Sequence, residues 1–592
     1  MKLITSALVI SFSIGSLFGT SAFAKRPEGT ASASSFSFLS DSVLKKVGEH
    51  KNAKGESTST QSTLPGLWST LDPTLDKTQG TSTEKIYQTL TVPTDAAHEV
   101  IVAVIDSGVD ITHEDLKGKI WINEAELNGK PGVDDDHDGY IDDIYGWNFL
   151  GAADGTNVGK TTLECTREVA RLTKIQTTRS LTAAETAELA KAQAVYDEQT
   201  THYQQYYQVG LQVVNAFKLL HQNGLKVDTL DGLSAVTSTD PAVVQAKAIA
   251  TRIFQQGFTL ADYQDAYDQG LSAKDFYLNL KFDSSSITGD HPDQLAEKGY
   301  GNGNVTGPDA MHGTHVAGII AADRFNNLGI LGQATDVKIM VLRAVPDGDE
   351  RDKDIANAIF YAVDHGASVI NMSFGKPFSP NKAYVDSAMM YAAKHGVVVV
   401  HAAGNENANN DSYDSNFPND HTLLGSVISS WIEVGASSRD NSKMTLAAEF
   451  SNYGKASIDV FAPGVDIIST VPGNQYKSLQ GTSMASPEVA GVAALLKSKY
   501  MNATADEIKD AITKTVNQYA NVMVKLPNEN GKNPDENVLF SSLSKSGGTV
   551  NAFEAMKYLS AQQAQKNQKP STFQQVMGLF SPSDTDTSTA TF

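Results

Sequence analysis

The stretch Ile355-Ala356-Asn357-Ala358-Ile359-Phe360-Tyr361-Ala362-Val363-Asp364-His365-Gly366-Ala367-Ser368-Val369-Ile370-Asn371-Met372 decides the fold. Residues 355–363 carry apolar side chains at helical spacing. His365-Gly366 then stops the helix, because glycine takes the left-handed conformation of a helix end at little steric cost. Residues 368–372 follow at once as a short apolar run. The same order recurs downstream, with a helical pattern over 384–393, then His395-Gly396, then Val397-Val398-Val399-Val400. Continuous rather than alternating apolar runs belong to strands covered on both faces. Two helix–glycine–strand units in succession make βαβ crossovers. Further such runs lie at 100–105 and 337–342. The expected fold is α/β, a doubly wound, mostly parallel sheet with helices on both faces. Ligands should then bind at the carboxyl ends of its strands.

Residues 161–280 break this rhythm: they are helix-prone and nearly free of strand signals. Thr182-Ala183-Ala184-Glu185 and Ser272-Ala273-Lys274-Asp275 read as capping boxes. Asp240-Pro241 reads as a helix start. Tyr203, Tyr207, Leu211 and Val214 share one helical face. A mainly helical insertion is expected here, for packing and shielding or, alternatively, for gating substrate access. Thr504-Ala505-Asp506-Glu507 is a third capping box. Residues 561–592 are rich in Gln, Ser and Thr and read as a low-complexity tail.

The N-terminus places Lys2 before a mostly apolar run over 3–18, followed by Ala22-Phe23-Ala24. That is the pattern of a signal peptide over 1–24, and its interrupting serines and glycine suit a membrane span poorly. Residues 25–63 then read as a flexible leader, with the ordered domain spanning 64–560. Over 592 residues, 47 Lys and Arg stand against 68 Asp and Glu, giving a net charge of −21. No basic run suggests nucleic acid. The single cysteine, Cys165, permits neither an intrachain disulfide nor a cysteine-type zinc site. A secreted or periplasmic product is expected, monomeric and without a membrane partner after cleavage.

Three segments carry chemistry. Val104-Ile105-Asp106-Ser107-Gly108 closes an apolar strand with a carboxylate, which alone could be a turn cap. His312-Gly313-Thr314-His315 stands at a helix start, where the dipole disfavours the protonated imidazole and keeps it available as a base. No glutamate lies between the two histidines, so this is not a zinc-protease helix. Gly481-Thr482-Ser483-Met484-Ala485 opens another helix, where a hydroxyl lies beside unpaired N–H groups that can stabilise an oxyanion. An isolated serine there is more often an N-cap. The pattern is not the Gly-x-Ser-x-Gly elbow of lipases and esterases. A serine nucleophile needs a base, and the base needs an orienting carboxylate.

Asp, His and Ser occur in that chain order, and the three segments strongly resemble the subtilisin-like serine protease family. The resemblance covers roughly 98–160 and 300–560. It implies a serine endopeptidase acting on polypeptides without a catalytic cofactor. It makes Ser483 the nucleophile, His312 rather than His315 the base, and Asp106 the orienting carboxylate. His401-Ala402-Ala403-Gly404-Asn405 resembles the family segment whose asparagine serves the oxyanion hole, a role that falls to Asn405. Ser373-Phe374-Gly375 resembles the strand that binds substrate, and with Ala402, Ala403 and Gly404 it would line the primary pocket. More than two hundred residues separate Asp106 from His312, far more than in compact members. The helical insertion supplies most of that excess, as in a long-insertion bacterial branch. All four functional positions are intact, which argues against a silent peptide-binding member.

Asp134-Asp135-Asp136-His137-Asp138-Gly139 alternates carboxylates before a glycine, a pattern suited to calcium. The twelfth position is Tyr145, so it is no EF-hand; the alternative is a solvated acidic turn. Asp134, Asp136 and Asp138 are the candidate ligands. Asp115 matches a calcium ligand of the family by position, and Asn326 matches more weakly. Met484 is expected beside the oxyanion pocket, with plain core packing as the alternative.

Overall fold

The computed structural model describes residues 65–89, 98–225, 227, 229–255, 258–412, 416–439, 444–527 and 536–568. The expected signal peptide and leader lie outside them. Nine strands form the main sheet: β1 (Val100–Asp106), β2 (Gly146–Asn148), β3 (Val337–Arg343), β4 (Val369–Met372), β5 (Val398–Ala402), β6 (Trp431–Ser437), β7 (Val460–Pro463), β10 (Asn517–Gln518) and β13 (Gly548–Thr549). β8 (Ile467–Val471) and β9 (Gln475–Leu479) pair as a separate hairpin, as do β11 (Met523–Lys525) and β12 (Asn537–Leu539). The sheet order is β10-β13-β7-β6-β5-β4-β1-β3-β2. Only β10 runs antiparallel to its neighbour. β1 lies between β3 and β4, so the strand order reverses beside it.

Pleating explains the continuous apolar runs. Val100, Val102 and Val104 of β1 join one core, while Ala103 and Ile105 join the other. The first core is covered by α6 (Met311–Ala321) and α9 (Thr482–Lys499), backed by α10 (Ala505–Lys514), α11 (Ala552–Gln568) and the short α1 (Thr83–Thr89) through Ile86. The second is covered by α7 (Asp352–Asp364) and α8 (Lys382–Lys394). Gly366 and Gly396 end α7 and α8 with φ of +80° and +73°. The next N–H groups turn back to Ala362 and Ala392 at 2.9 and 3.0 Å, which closes each helix end.

The insertion is helical: α2 (Glu164–Gln176), the forty-residue α3 (Ala183–Gln222), α4 (Pro241–Gln255) and α5 (Leu260–Ser272). Thr182 and Thr504 form the expected capping boxes, and Asp240 accepts from the N–H of Ala242 at 2.8 Å. Ser272 corrects its expected capping role. It sits in helical backbone that continues into residues 273–277, and its hydroxyl meets Lys160 at 2.5 Å. The buried stripe of α3 runs through Gly210, Val213, Ala216, Phe217 and Leu220, while Leu211 and Val214 are half-buried at its flanks. A Cβ on Gly210 would lie 2.6 Å from the Tyr267 nitrogen, and one on Gly270 would lie 2.5 Å from the Tyr207 Cβ. These two glycines let α3 and α5 touch. The distal half of the insertion has its own core, built on Phe217, Leu220, Val243, Ile253 and Tyr263. The proximal half shares a core with the main domain through Phe378.

α11 runs on to Gln568, through residues expected to belong to the tail, and Lys566 pairs with Glu507. No helix among the described residues is long and apolar enough to cross a membrane.

Candidate active site

Asp106 is the last residue of β1 and is buried. His312 is the second residue of α6. A Cβ on Gly313 would strike the Gly108 carbonyl oxygen and lie 3.2 Å from the Asp106 Cβ. The bare backbone therefore lets the first turn of α6 rest on the end of β1. His312 Nδ1 then meets Asp106 Oδ1 at 2.8 Å and Oδ2 at 3.0 Å. An ionised carboxylate accepts only, so Nδ1 carries the proton and Nε2 is left as the acceptor. Burial pulls the imidazole pKa down, but the charge and hydrogen bond of Asp106 outweigh it, and the net shift is upward. The expectation from the helix dipole is thus reversed, because an adjacent buried carboxylate acts more strongly than a helix end.

His315 is fully buried and turns the other way. Its Nε2 meets the carbonyls of Ile467 and Lys477 at 3.1 and 3.0 Å. Burial drives its pKa down to about 3. It holds the β8–β9 hairpin in its neutral form.

Ser483 is the second residue of α9, which Gly481 precedes with φ +151°. Pro487 lies one turn further on and has no N–H for the Ser483 carbonyl four residues back. That carbonyl instead accepts from the Ser373 hydroxyl at 3.0 Å. The Ser483 hydroxyl in turn donates to the Ser373 carbonyl at 3.1 Å. Asn371 completes the joint: its amide donates to Ser373 Oγ at 3.0 Å and its Oδ1 accepts from Ser486 at 2.9 Å. Met484, directly after Ser483, is 2% exposed and packs in the core between α9 and the sheet.

Asn405 follows β5. Its Oδ1 accepts from the N–H and hydroxyl of Thr482 at 2.8 and 3.1 Å. This fixes the amide so that Nδ2 has no partner among the described residues and is available as a donor. Ala402 and Ala403 are buried, and Gly404 has φ +103°. Asn410, Asn416 and Asn452 each donate to the Ala403 carbonyl at 2.9 Å, stiffening this segment. Opposite in sequence order, Phe374 and Gly375 make no backbone-to-backbone bond among the described residues, whereas Lys376 exchanges two with Phe417 at 3.1 and 3.0 Å.

Asp136 lies with two acidic neighbours, Glu126 and Asp143, whose oxygens come within 4.8 Å of one another; Asp136 and Asp138 also approach His365. Asp134 is occupied by its own loop, accepting from the N–H groups of Asp138 and Gly139 at 3.2 and 3.0 Å. Asp115 does not join this group. It is buried among donors: Asn326 Nδ2 at 2.7 Å, the Ile330 N–H at 3.1 Å and the Tyr476 hydroxyl at 3.2 Å. Asn326 offers its nitrogen rather than its oxygen, which takes the Leu328 N–H. Burial pushes the Asp115 pKa up to about 6.

Thr482, Asn371, Asn416 and Pro487 were not singled out in sequence. Pro487 carried a signal, being a proline inside a helical run two residues before an apolar stretch. The asparagines carried none, since their partners lie far away in the chain.

A parallel sheet with Asp, His and Ser delivered to its carboxyl edge, in that chain order, is the frame of subtilisin-like proteins. Residues 97–540 match the model of the subtilase family, peptidase S8, and the chain belongs to that family. It is similar to a thermophilic serine proteinase of Bacillus sp. (strain AK1), 43% identical over 208 residues, which are 35% of this chain and 47% of that one. It is similar to subtilisin BL of Lederbergia lenta, 39% identical over 223 residues, 38% of this chain and 71% of that one. M-protease of Shouchella clausii (strain KSM-K16) is 36% identical over 245 residues, 41% of this chain and 56% of the other. The chain thus spans about half the length of the first of these relatives.

Proposed function

We propose that this chain is an exported serine endopeptidase that cleaves polypeptides through an acyl-enzyme on Ser483. The observation that carries the reading is the grip of buried Asp106 on His312 Nδ1, which leaves Nε2 as a base. In the reaction the Ser483 hydroxyl leaves the Ser373 carbonyl and gives its proton to Nε2. The oxygen attacks the scissile carbonyl as His312 takes its proton, and Asp106 stabilises the imidazolium. Asn405 Nδ2 donates to the oxyanion. His312 returns the proton to the leaving amine, and a water repeats the sequence to release the acid. Phe374 and Gly375 offer main-chain groups to an extended peptide, and 402–404 form the facing wall. A fluorophosphonate probe is expected to label the folded protein and to spare Ser483→Ala. Absence of labelling in folded wild type overturns the reading.

Calcium belongs to the same proposal, held by the acidic loop. Glu126, Asp136 and Asp143 offer oxygens only, as calcium prefers, and the ion would neutralise carboxylates that otherwise repel. Chelation is expected to lower Tm and added calcium to restore it. An unchanged Tm after verified metal removal excludes a stabilising ion. Export rests on the pattern of residues 1–24, and N-terminal sequencing of the exported product is expected to find no residue before Lys25.

A further inference from the structure

Lys376 follows the Ser373-Phe374-Gly375 segment and buries its side chain to 2% exposure. A buried ammonium needs partners. Lys376 Nζ has the Glu164 carboxylate at 2.8 Å, the Asp352 carboxylate at 2.7 Å and the Glu350 carbonyl at 2.7 Å. Asp352 and Glu350 belong to the main domain at the start of α7. Glu164 does not: it is the first residue of α2 and thus of the helical insertion.

Glu164 is itself held firmly. Arg167 Nε and Nη2 grip its two oxygens at 3.1 and 2.8 Å. Arg167 also donates to the carbonyls of Asp349 and Glu350 at 2.9 and 3.1 Å, and the Glu164 N–H donates to Asp349 Oδ2 at 2.8 Å. Despite burial, the surrounding charges hold the Glu164 pKa down and the Lys376 pKa up, so both stay ionised. An apolar pair of similar volume is often as stable as a buried ion pair. What the ions add is a fixed direction and length.

The substrate segment is therefore pinned at both ends. Ser373 is fixed to α9 through Ser483 and Asn371. Lys376 is fixed to Phe417 by its backbone and to the insertion by its side chain. Phe374 and Gly375 span the gap. We propose that the insertion sets the geometry of this segment through the Glu164–Lys376 pair, which makes Glu164 a positioning residue for peptide binding. This rests on the reading of Ser373–Gly375 as the peptide-pairing strand and Ser483 as the nucleophile. The Ser373 anchor does not depend on Glu164, so the pair acts on substrate alignment and not on nucleophile activation.

The test compares wild type, Glu164→Gln, Glu164→Asp and the double variant Glu164→Gln/Lys376→Met. The readouts are hydrolysis of an extended peptide, the rate of fluorophosphonate labelling, and Tm. Glu164→Gln is expected to lower kcat/KM by up to about 10²-fold, the scale of a 1 Å misplacement, chiefly through KM because the pairing it disturbs holds the bound peptide in ground state and transition state alike. Its labelling rate should stay at the wild-type value, because that probe needs no extended pairing. Glu164→Asp keeps the charge and should recover part of the loss. The double variant removes both charges and should recover Tm while KM stays high. An unchanged KM in Glu164→Gln overturns the proposal, as does a double variant in which KM recovers together with Tm. A folded wild type that neither labels nor cleaves fails in a distinct way, because it removes the peptidase reading itself.

Discussion

The cleft and the distal half of the insertion are built on opposite plans. Around the cleft nearly every fixed group is polar: Asp106 on His312, Ser373 on Ser483, Thr482 on Asn405, Asn371 on Ser486. Each bond fixes an angle as well as a distance. The distal insertion is held by apolar and aromatic packing, with Phe217 edge-on to Phe254 and Phe258 edge-on to Tyr263. Packing of that kind sets stability without aiming any one atom. The cleft should therefore be sensitive in rate and the distal bundle in stability. The insertion root, where Glu164 stands, belongs with the cleft.

The sharpest test of that division is Ser483→Ala. The expected fall in kcat is on the order of 10⁶, the size found for the same constellation in subtilisin, with Tm nearly unchanged. Substantial peptidase turnover in this variant would break the comparison at its centre. Asn405→Ala is expected to lower kcat by about 10²–10³ with little change in KM, since the amide bond strengthens only in the transition state. A loss confined to KM would move Asn405 from the oxyanion to ground-state binding.

Phe217→Ala probes the other plan. The side chain is 1% exposed, and its removal should cost about 3–5 kcal/mol of stability in the insertion while kcat per folded molecule stays at the wild-type value. Denaturant unfolding together with active-site titration reads both quantities. A large fall in kcat per titrated site would show that the distal bundle also shapes the cleft.

The smallest effect is in pH. His312 must be neutral to accept a proton, and its pKa is raised above 6.5 by Asp106. Activity should be lost as pH falls through a value higher than that of an ordinary histidine. Asp106→Asn removes the raising charge, so the acidic limb of its residual activity should move to lower pH. A limb that stays put would assign the titration to another group. The linked stability runs the opposite way: the Asp106–His312 contribution is full below 6.5 and is lost as pH rises through the higher folded value.

Much of the frame was legible because local rules were obeyed. Gly366 and Gly396 end helices where expected, 100–105 and 337–342 fall on strands, and 368–372 and 397–400 begin one residue ahead of theirs. The capping boxes at Thr182 and Thr504 form because their partners lie three residues away. Ser272 carries the same pattern without the outcome, because the helix it should begin is already running and Lys160 engages its hydroxyl. β6 carries a weaker strand signal because Glu433 interrupts its apolar run, and β7 because only Val460, Phe461 and Ala462 stand before Pro463. Glu433 of β6 is buried only because His401, Trp431 and Asn416 donate to it. Asp115 and Asn326 matched a calcium pattern by position, yet tertiary contacts turned a nitrogen toward the carboxylate.

The sequence by itself determined the parallel sheet, the helical insertion and the residue types at the cleft, because periodicity, glycine stops and short motifs act within a few neighbours. Only the tertiary structure decided the rest. It chose the direction of the His312 shift, since a carboxylate 2.8 Å away outweighs a helix dipole. It sent His315 to the β8–β9 hairpin and split the candidate metal ligands into separate surroundings. It also brought Glu164 to Lys376 across 212 residues of chain. Electrostatic strength depends on distance and burial, and neither is written in the local sequence.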